Sequence, residues 1–122
     1  MSCFWIGILS ALGLDTSNKY IQTFIHYIKK NNTKTPDVLW NDTALTEKQL
    51  DENFQAINEL DETNFGNGYL CSTFEPVLFL VSHLFSRSIY HNYNGNILLY
   101  KNTMNPTMFI RFQNDSGHFW NT

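Results

Sequence analysis

Residues 2–13 read Ser2-Cys3-Phe4-Trp5-Ile6-Gly7-Ile8-Leu9-Ser10-Ala11-Leu12-Gly13, a single thiol followed by an apolar run of helical length. We expect a buried helix from about Cys3 to Leu12, ended by Gly13 in the left-handed conformation. Cys3 then lies at the positive end of the helix, where unpaired N–H groups and the helix dipole favour the nucleophilic thiolate. The alternative is that Cys3 is only a small apolar residue at a helix terminus.

The length and composition predict one folded domain, residues 1–122. A chain of 122 residues with 43% hydrophobic side chains can bury one core and is too short for two. The net charge of −3 argues against nucleic acid as a partner, because phosphate binding needs clustered Lys and Arg. The opening apolar run lacks the basic start of a signal peptide and is too short to span a bilayer, so we expect it in the folded domain and expect no membrane partner.

The histidines and cysteines do not have the spacing of a metal site. The four histidines are His26, His83, His91 and His118. The sequence contains neither a CxxC nor an HExxH motif, so we expect neither a metal nor a cofactor. Cys3 and Cys71 could form one disulfide, and a count of two leaves that question open.

Apolar spacing predicts three further helices. A second helix follows the cap candidates Asp15-Thr16-Ser17, and a third begins at a capping box formed by Thr46 and Gln49. The acidic outer face of the third helix is either a solvated surface or a contact for a basic partner. A central helix, apolar on nearly all sides, should place Pro76 in its first turn, with Cys71 in the loop before it.

From Ser88 the apolar period changes to that of strands. Ile89–Tyr93 and Ile97–Tyr100 flank Asn94-Gly95, a strong hairpin signal, and Met108–Phe112 alternates as a third strand. The turn 114–117 then brings His118 beside the sheet. The predicted fold class is α+β, with N-terminal helices packed on a small antiparallel sheet.

A cysteine that opens a helix and a histidine that follows a glycine turn have the layout of papain-like cysteine hydrolases. His91, on a strand, is the other candidate base. Several segments resemble, in order, the ovarian tumour (OTU) family of cysteine peptidases. They are Cys3-Phe4-Trp5 with Ile8–Leu12, then Tyr69–Leu80 including Glu75, then Ser88–Tyr93, and finally Gly117-His118-Phe119.

This resemblance implies a papain-like, OTU-like fold and a thiol protease that acts as a deubiquitinase. Its substrate bond is the peptide or isopeptide bond after the C-terminal glycine of ubiquitin or a ubiquitin-like modifier. Cys3 is then the nucleophile, and His118 is the general base and later the general acid. Backbone N–H groups at Cys3 and just before it would form the oxyanion hole.

The sequence departs from the family pattern on either side of this pair. Family members usually carry Asp three residues before the cysteine, a position that falls before Met1, and this leaves activity open. Many carry Asp or Asn two residues after the histidine, where this chain has Trp120. Asn121, one residue further on, is the candidate third catalytic residue, although it could share a face with the histidine only if the strand ends or bulges there. Asn114 and Asp115 are alternatives.

The resemblance also suggests where a substrate would bind. Gly66, Gly68 and Tyr69 form a candidate wall for the narrow channel that a glycine tail needs, and Phe119 and Trp120 flank the histidine. An arginine in the substrate tail could pair with the acidic residues Asp61 and Glu62.

Small size and an Asn-rich composition suit a protein of a virus or of a parasite with an AT-rich genome. We expect a monomer in the cytoplasm, which is the host cytoplasm if the protein is viral. The partner that the resemblance implies is ubiquitin or a ubiquitin-like modifier. The alternative function is a catalytically inactive OTU-like domain that acts as a ubiquitin-binding or protein-interaction module.

Overall fold

The computed structural model describes residues 3–61, 71–93, 95–115 and 118–121, with backbone alone at Cys3, 71–75, Tyr93, 112–115 and 118–121. These residues form four helices and five strands, and all four helices precede the last four strands. This separation of helices from strands along the chain confirms the α+β class. In chain order they are α1 (Cys3–Ala11), α2 (Asn18–Lys30), β1 (Val38–Trp40), α3 (Glu47–Asn58), α4 (Cys71–Phe85), β2 (Ser88–Tyr93), β3 (Asn96–Asn102), β4 (Phe109–Asp115) and β5 (His118–Asn121).

Helix α1 begins and ends close to where the apolar run predicted. Gly13 has φ +74°, and the N–H of the next residue, Leu14, donates to the carbonyl of Leu9 at 2.8 Å. This left-handed cap stops the helix at low cost because glycine has no Cβ to clash. The core-facing side chains of α1 are Phe4, Trp5, Ile8 and Leu9, all buried.

Helices α2 and α3 follow their predicted signals. Ser17 caps α2, and the Thr46 hydroxyl accepts from the N–H of Gln49 at 3.1 Å while the Gln49 side chain accepts from the N–H of Thr46 at 2.8 Å. The predicted capping box of α3 is therefore confirmed.

Helix α4 begins earlier than predicted. It starts at Cys71, which was expected in a loop, so Pro76 lies in the interior of the helix and not in its first turn. Proline removes one backbone donor there. The next five residues, 77–81, are all buried, and this tertiary burial outweighs the local preference for a helix start near the proline.

The sheet has the strand order β1-β3-β2-β4-β5. The β2–β3 hairpin is confirmed: Tyr93 pairs with Asn96, and Gly95 has φ +86°. Strand β1 was not predicted, because three residues are too few to show an alternating pattern. It pairs antiparallel with β3 from Val38 to Trp40.

The sheet is mixed, which corrects the expectation of an antiparallel sheet, because β4 runs parallel to β2. The chain leaves β3 on one side of β2 and crosses to the other side through residues 103–108. Buried Asn102 holds this crossing. Its amide donates to the carbonyl of Ser82 at 2.8 Å, and its oxygen accepts from the N–H groups of Met104 and Asn105 at 2.8 and 3.1 Å.

One face of the sheet packs against the helices. Tyr100 of β3 meets Phe79 of α4 with ring centroids 4.9 Å apart, and Ile89 and Ile110 are buried on the same side. On the opposite face Phe109 and Arg111 are exposed, and Arg111 lies over the Tyr90 ring at 5.2 Å. The domain therefore has a helix layer on one side of the sheet and an outer face on the other.

Candidate active site

Cys3 is the first residue of α1, and aromatic packing fixes this helix in place. The Trp5 ring meets Phe24 of α2 edge to face at 6.3 Å, and Phe24 stacks on Phe85 of α4 at 5.9 Å. The helix that carries the candidate nucleophile is thus anchored through α2 to the centre of the core. Rigid support of this kind is what a positioned nucleophile needs.

His118 is the first residue of β5, and β5 packs against α1. Helix α1 also contacts β4, so it lies across the β4–β5 end of the sheet. The two elements that begin with Cys3 and His118 are therefore neighbours, although they stand at opposite ends of the chain.

The β4–β5 ladder fixes the register of the candidate base. Asp115 pairs with His118, and the pairing continues residue by residue to Asn121, opposite Phe112. Strand positions alternate between faces, so the His118 position shares a face with Asp115 and with the position of Trp120. The ladder has no bulge between His118 and Asn121, and the register does not bring these two positions to one face.

Two of the five substrate-binding candidates have a described backbone. Phe119 and Trp120 lie on β5, opposite Asn114 and Gln113. Gly66, Gly68, Tyr69 and the acidic Glu62 lie outside the described residues. Asp61 is exposed and lines a shallow cleft together with His26, Lys29 and Lys30.

His91 does not lie at an accessible site. It is on β2, the central strand, with 1% of its surface exposed, and its ring stacks on Tyr100 at 6.4 Å. A base that serves a substrate must be reached by that substrate, so its burial argues against His91 as the candidate base.

Sequence reasoning missed a contact between a histidine and a carboxylate outside the candidate site. His83 Nδ1 lies 2.8 and 2.9 Å from the two carboxylate oxygens of Asp37. This contact ties the end of α4 to the segment before β1. The residues are far apart in sequence, so no local spacing could have signalled it.

A groove of about 460 Å³ lies between α3, α4 and β1, with Trp40 and Phe79 among its aromatic lining and Glu52 and Asn53 among its polar lining. It was also not predicted. Among the residues with described side chains, no group of three His, Cys, Asp or Glu is arranged to hold a metal ion. No helix in the described part of the chain is long and apolar enough to cross a membrane.

Comparisons with protein-family models, with curated proteins and with solved structures found no match. The case for a function therefore rests on this chain's own residues and on how its elements pack.

Proposed function

We propose that this chain is an OTU-like cysteine peptidase that hydrolyses the peptide or isopeptide bond after the C-terminal glycine of ubiquitin or a ubiquitin-like modifier. The observation that supports the proposal most is the packing of α1, which begins with Cys3, against β5, which begins with His118. Covalent acyl transfer needs a nucleophile and a base at one place, and these elements come from opposite ends of the chain.

The proposed reaction has two steps. The Cys3 thiolate attacks the carbonyl carbon of the terminal glycine, and protonated His118 gives its proton to the departing lysine amine as the C–N bond breaks. This leaves a thioester between the modifier and Cys3. Water then attacks the thioester, His118 takes a proton from the water, and the thiolate leaves.

The start of α1 suits this role in two ways. The N–H groups at the start of a helix have no partner within the helix, so they stabilise a thiolate and can donate to an oxyanion. Each such donor is worth roughly 3–4 kcal/mol in comparable acyl-transfer sites.

The proposed reaction needs no cofactor. We also propose that the chain acts as a monomer in the cytoplasm.

The substrate tail would approach along β5. We propose that Phe119 and Trp120, together with Gly66, Gly68 and Tyr69, line the channel for the glycine tail. A narrow channel excludes side chains and thereby selects a tail that ends in glycines.

The deciding experiment uses ubiquitin carrying a C-terminal electrophile, and in parallel a ubiquitin-like modifier with the same group. We expect an adduct on Cys3 of the wild-type chain, identified by peptide mass spectrometry. Cys3→Ala should abolish it. Cys71→Ala is the matched control because it removes the chain's other thiol, and it should still be labelled.

A folded wild-type sample that reacts with neither probe would overturn the proposal. Binding of unmodified ubiquitin by that sample would then identify the chain as the non-catalytic interaction module.

A further inference from the structure

The groove between α3, α4 and β1 has one largely polar wall and one aromatic wall. The other wall, across from α3, includes Trp40 of β1 and Phe79 of α4, whose ring centroids lie 6.0 Å apart. The α3 wall is a single helical face, because its lining positions recur at spacings of three and four residues. These positions are Gln49, Glu52, Asn53 and Ala56. The volume of about 460 Å³ falls within the range of ligand sites, roughly 300–1,000 Å³.

Glu52 and Asn53 are the polar side chains of this groove that stay available to a ligand. The Gln49 side-chain oxygen is already used, because it accepts from the N–H of Thr46 at 2.8 Å. Within the residues that the structure describes, the side chains of Glu52 and Asn53 make no hydrogen bond and no ion pair. Glu52 is also the one charged residue among the described residues that line the groove. A free carboxylate therefore lies next to a free amide.

The negative charge of Glu52 is not neutralised by the lysines nearest to α3. The Lys34 ammonium pairs with two other carboxylates of this helix, at 2.6 Å from Asp51 and 3.9 Å from Glu47. Lys48 stands one helical turn before Glu52, and the two side chains form no ion pair in the described structure. Residues 47–59 carry four carboxylates and one lysine, so charge complementarity favours a cation in the groove.

The backbone at the mouth of the groove is already paired. Strand β1 is at one edge of the sheet, where a partner strand would ordinarily find free N–H and carbonyl groups. The N–H of Trp40 instead donates to the carbonyl of Thr43 at 2.8 Å, and its carbonyl accepts from the N–H of Thr43 at 2.8 Å. The N–H of Val38 donates to the carbonyl of Thr35 at 3.2 Å. A partner is therefore recognised here by a side chain and not by strand addition.

We infer that the groove binds an arginine side chain of a partner protein. A guanidinium has five N–H donors in a planar fork, so it serves the Glu52 carboxylate and the Asn53 amide oxygen together. It also stacks on aromatic rings such as that of Trp40, while its carbon stem packs on apolar surface. A lysine ammonium is more strongly hydrated and lacks the planar fork.

This inference does not depend on the proposed function. The groove lies at the β1 edge of the sheet, whereas α1, which begins with Cys3, packs against β5 at the opposite edge. Its test therefore reads binding and needs no enzymatic activity.

The test titrates the ¹⁵N-labelled chain with an acetylated and amidated peptide that has one arginine between two glycines on each side. The reporter is the indole N–H signal of Trp40, which is assigned by its loss in Trp40→Phe. We expect the arginine peptide to shift this signal in a saturable way. The same peptide with citrulline, which keeps the shape and loses the charge, should bind about 5-fold more weakly.

Two variants locate the cation. Glu52→Gln keeps the shape of the side chain and removes its charge, so it should weaken binding of the arginine peptide about 5-fold. This exposed side chain makes no contact that the fold needs, so the variant should fold normally. Glu59→Gln is the matched control, because it removes one negative charge at the end of α3 outside the groove. It should stay within about two-fold of wild type.

Four results would overturn the inference. The first is the absence of any shift of the Trp40 signal up to about 10 mM peptide. The second is equal binding of the arginine and citrulline peptides, and the third is equal weakening by Glu52→Gln and Glu59→Gln. The fourth is a Trp40 signal that moves with protein concentration alone, which would identify a second copy of this chain as the occupant of the groove.

Discussion

The Trp5 ring meets the Phe24 ring edge to face, with centroids 6.3 Å apart and planes inclined at 69°. Both side chains are buried, at 2% and 3% exposure. This contact joins the apolar face of α1 to that of α2, and through Phe85 to α4. The position of Cys3 therefore depends on a chain of aromatic contacts deep in the core.

Removing the Trp5 ring should destabilise the whole domain. Trp5→Ala loses a large buried surface and leaves a cavity, so we expect the free energy of unfolding to fall by about 3–5 kcal/mol. Urea denaturation followed by circular dichroism measures the loss. Ser10→Ala, on the exposed side of the same helix, should change stability by less than about 0.5 kcal/mol. A loss below about 1 kcal/mol for Trp5→Ala would contradict the packing described above.

The crossing segment between β3 and β4 should depend on the Asn102 side chain. Asn102→Ala removes the side-chain bonds to the Ser82 carbonyl and to the N–H groups of Met104 and Asn105. The Ser82 carbonyl still accepts from the Arg87 N–H, and the Asn105 N–H still donates to the backbone carbonyl of residue 102. We expect the free energy of unfolding to fall by about 1–3 kcal/mol, because three hydrogen bonds of a buried amide are lost while two of the groups keep backbone partners. Thermal and urea unfolding test this. Asn96→Ala, an exposed position on the same strand, is the control and should be nearly neutral.

Substitution of Gly95 should destabilise the β2–β3 turn through the backbone conformation at this position and not through a steric clash. A Cβ at this position would meet no atom within 4 Å, but φ is +86°. Gly95→Ala should therefore cost about 1–2 kcal/mol from backbone strain without any steric contact. Gly95→Asn should cost less, because asparagine tolerates the left-handed region. Equal stability of Gly95→Ala and wild type in urea would show that the turn differs from the one described.

Lys34 provides a pH-dependent surface contact. Its ammonium lies 2.6 Å from Asp51, and the hydrogen bond to that carboxylate raises the pKa of Lys34 above its ordinary value of 10.5. A pKa that is higher in the folded state means that the stabilisation is complete below 10.5 and is lost as the pH rises through the folded value. The stability difference between wild type and Lys34→Met should therefore be constant from pH 7 to 10 and then shrink.

Salt gives an independent check on the same pair. Both side chains are substantially exposed, so 1 M sodium chloride, with a Debye length of about 3 Å, should remove most of the difference at pH 7. Lys48→Met, at an exposed position on α3, controls for the loss of one positive charge. A difference for Lys34→Met that grows above pH 10.5 would have the wrong sign for this pair.

The features that were predicted correctly from the sequence depend on residues that are close to one another in the chain. Gly13 ends α1, Thr46 and Gln49 cap α3, and Gly95 lies in the turn between β2 and β3. Each of these signals acts over two to five residues. Local sterics and unpaired backbone groups decide such features, so neighbouring residues are sufficient to read them.

The features that were missed depend on partners that are distant in sequence. Val38–Trp40 becomes a strand only because β3 lies beside it, and Pro76 sits inside a helix only because the residues after it are buried. The parallel pairing of β2 with β4 follows from the path of residues 103–108 around Asn102. None of these has a local signal, because burial and strand pairing are settled by the whole fold.

By itself the sequence determined that Cys3 opens a buried helix and that the fold mixes helices with a sheet. Only the tertiary structure decided that α1 packs against β5 and that the Asp115 position pairs with the His118 position in the β4–β5 ladder. The physical reason is that apolar periodicity says which side of an element is buried, whereas the partner of that side is chosen by strand register and core packing. A shift of one residue in the pairing of β4 with β5 would have exchanged the two faces of β5.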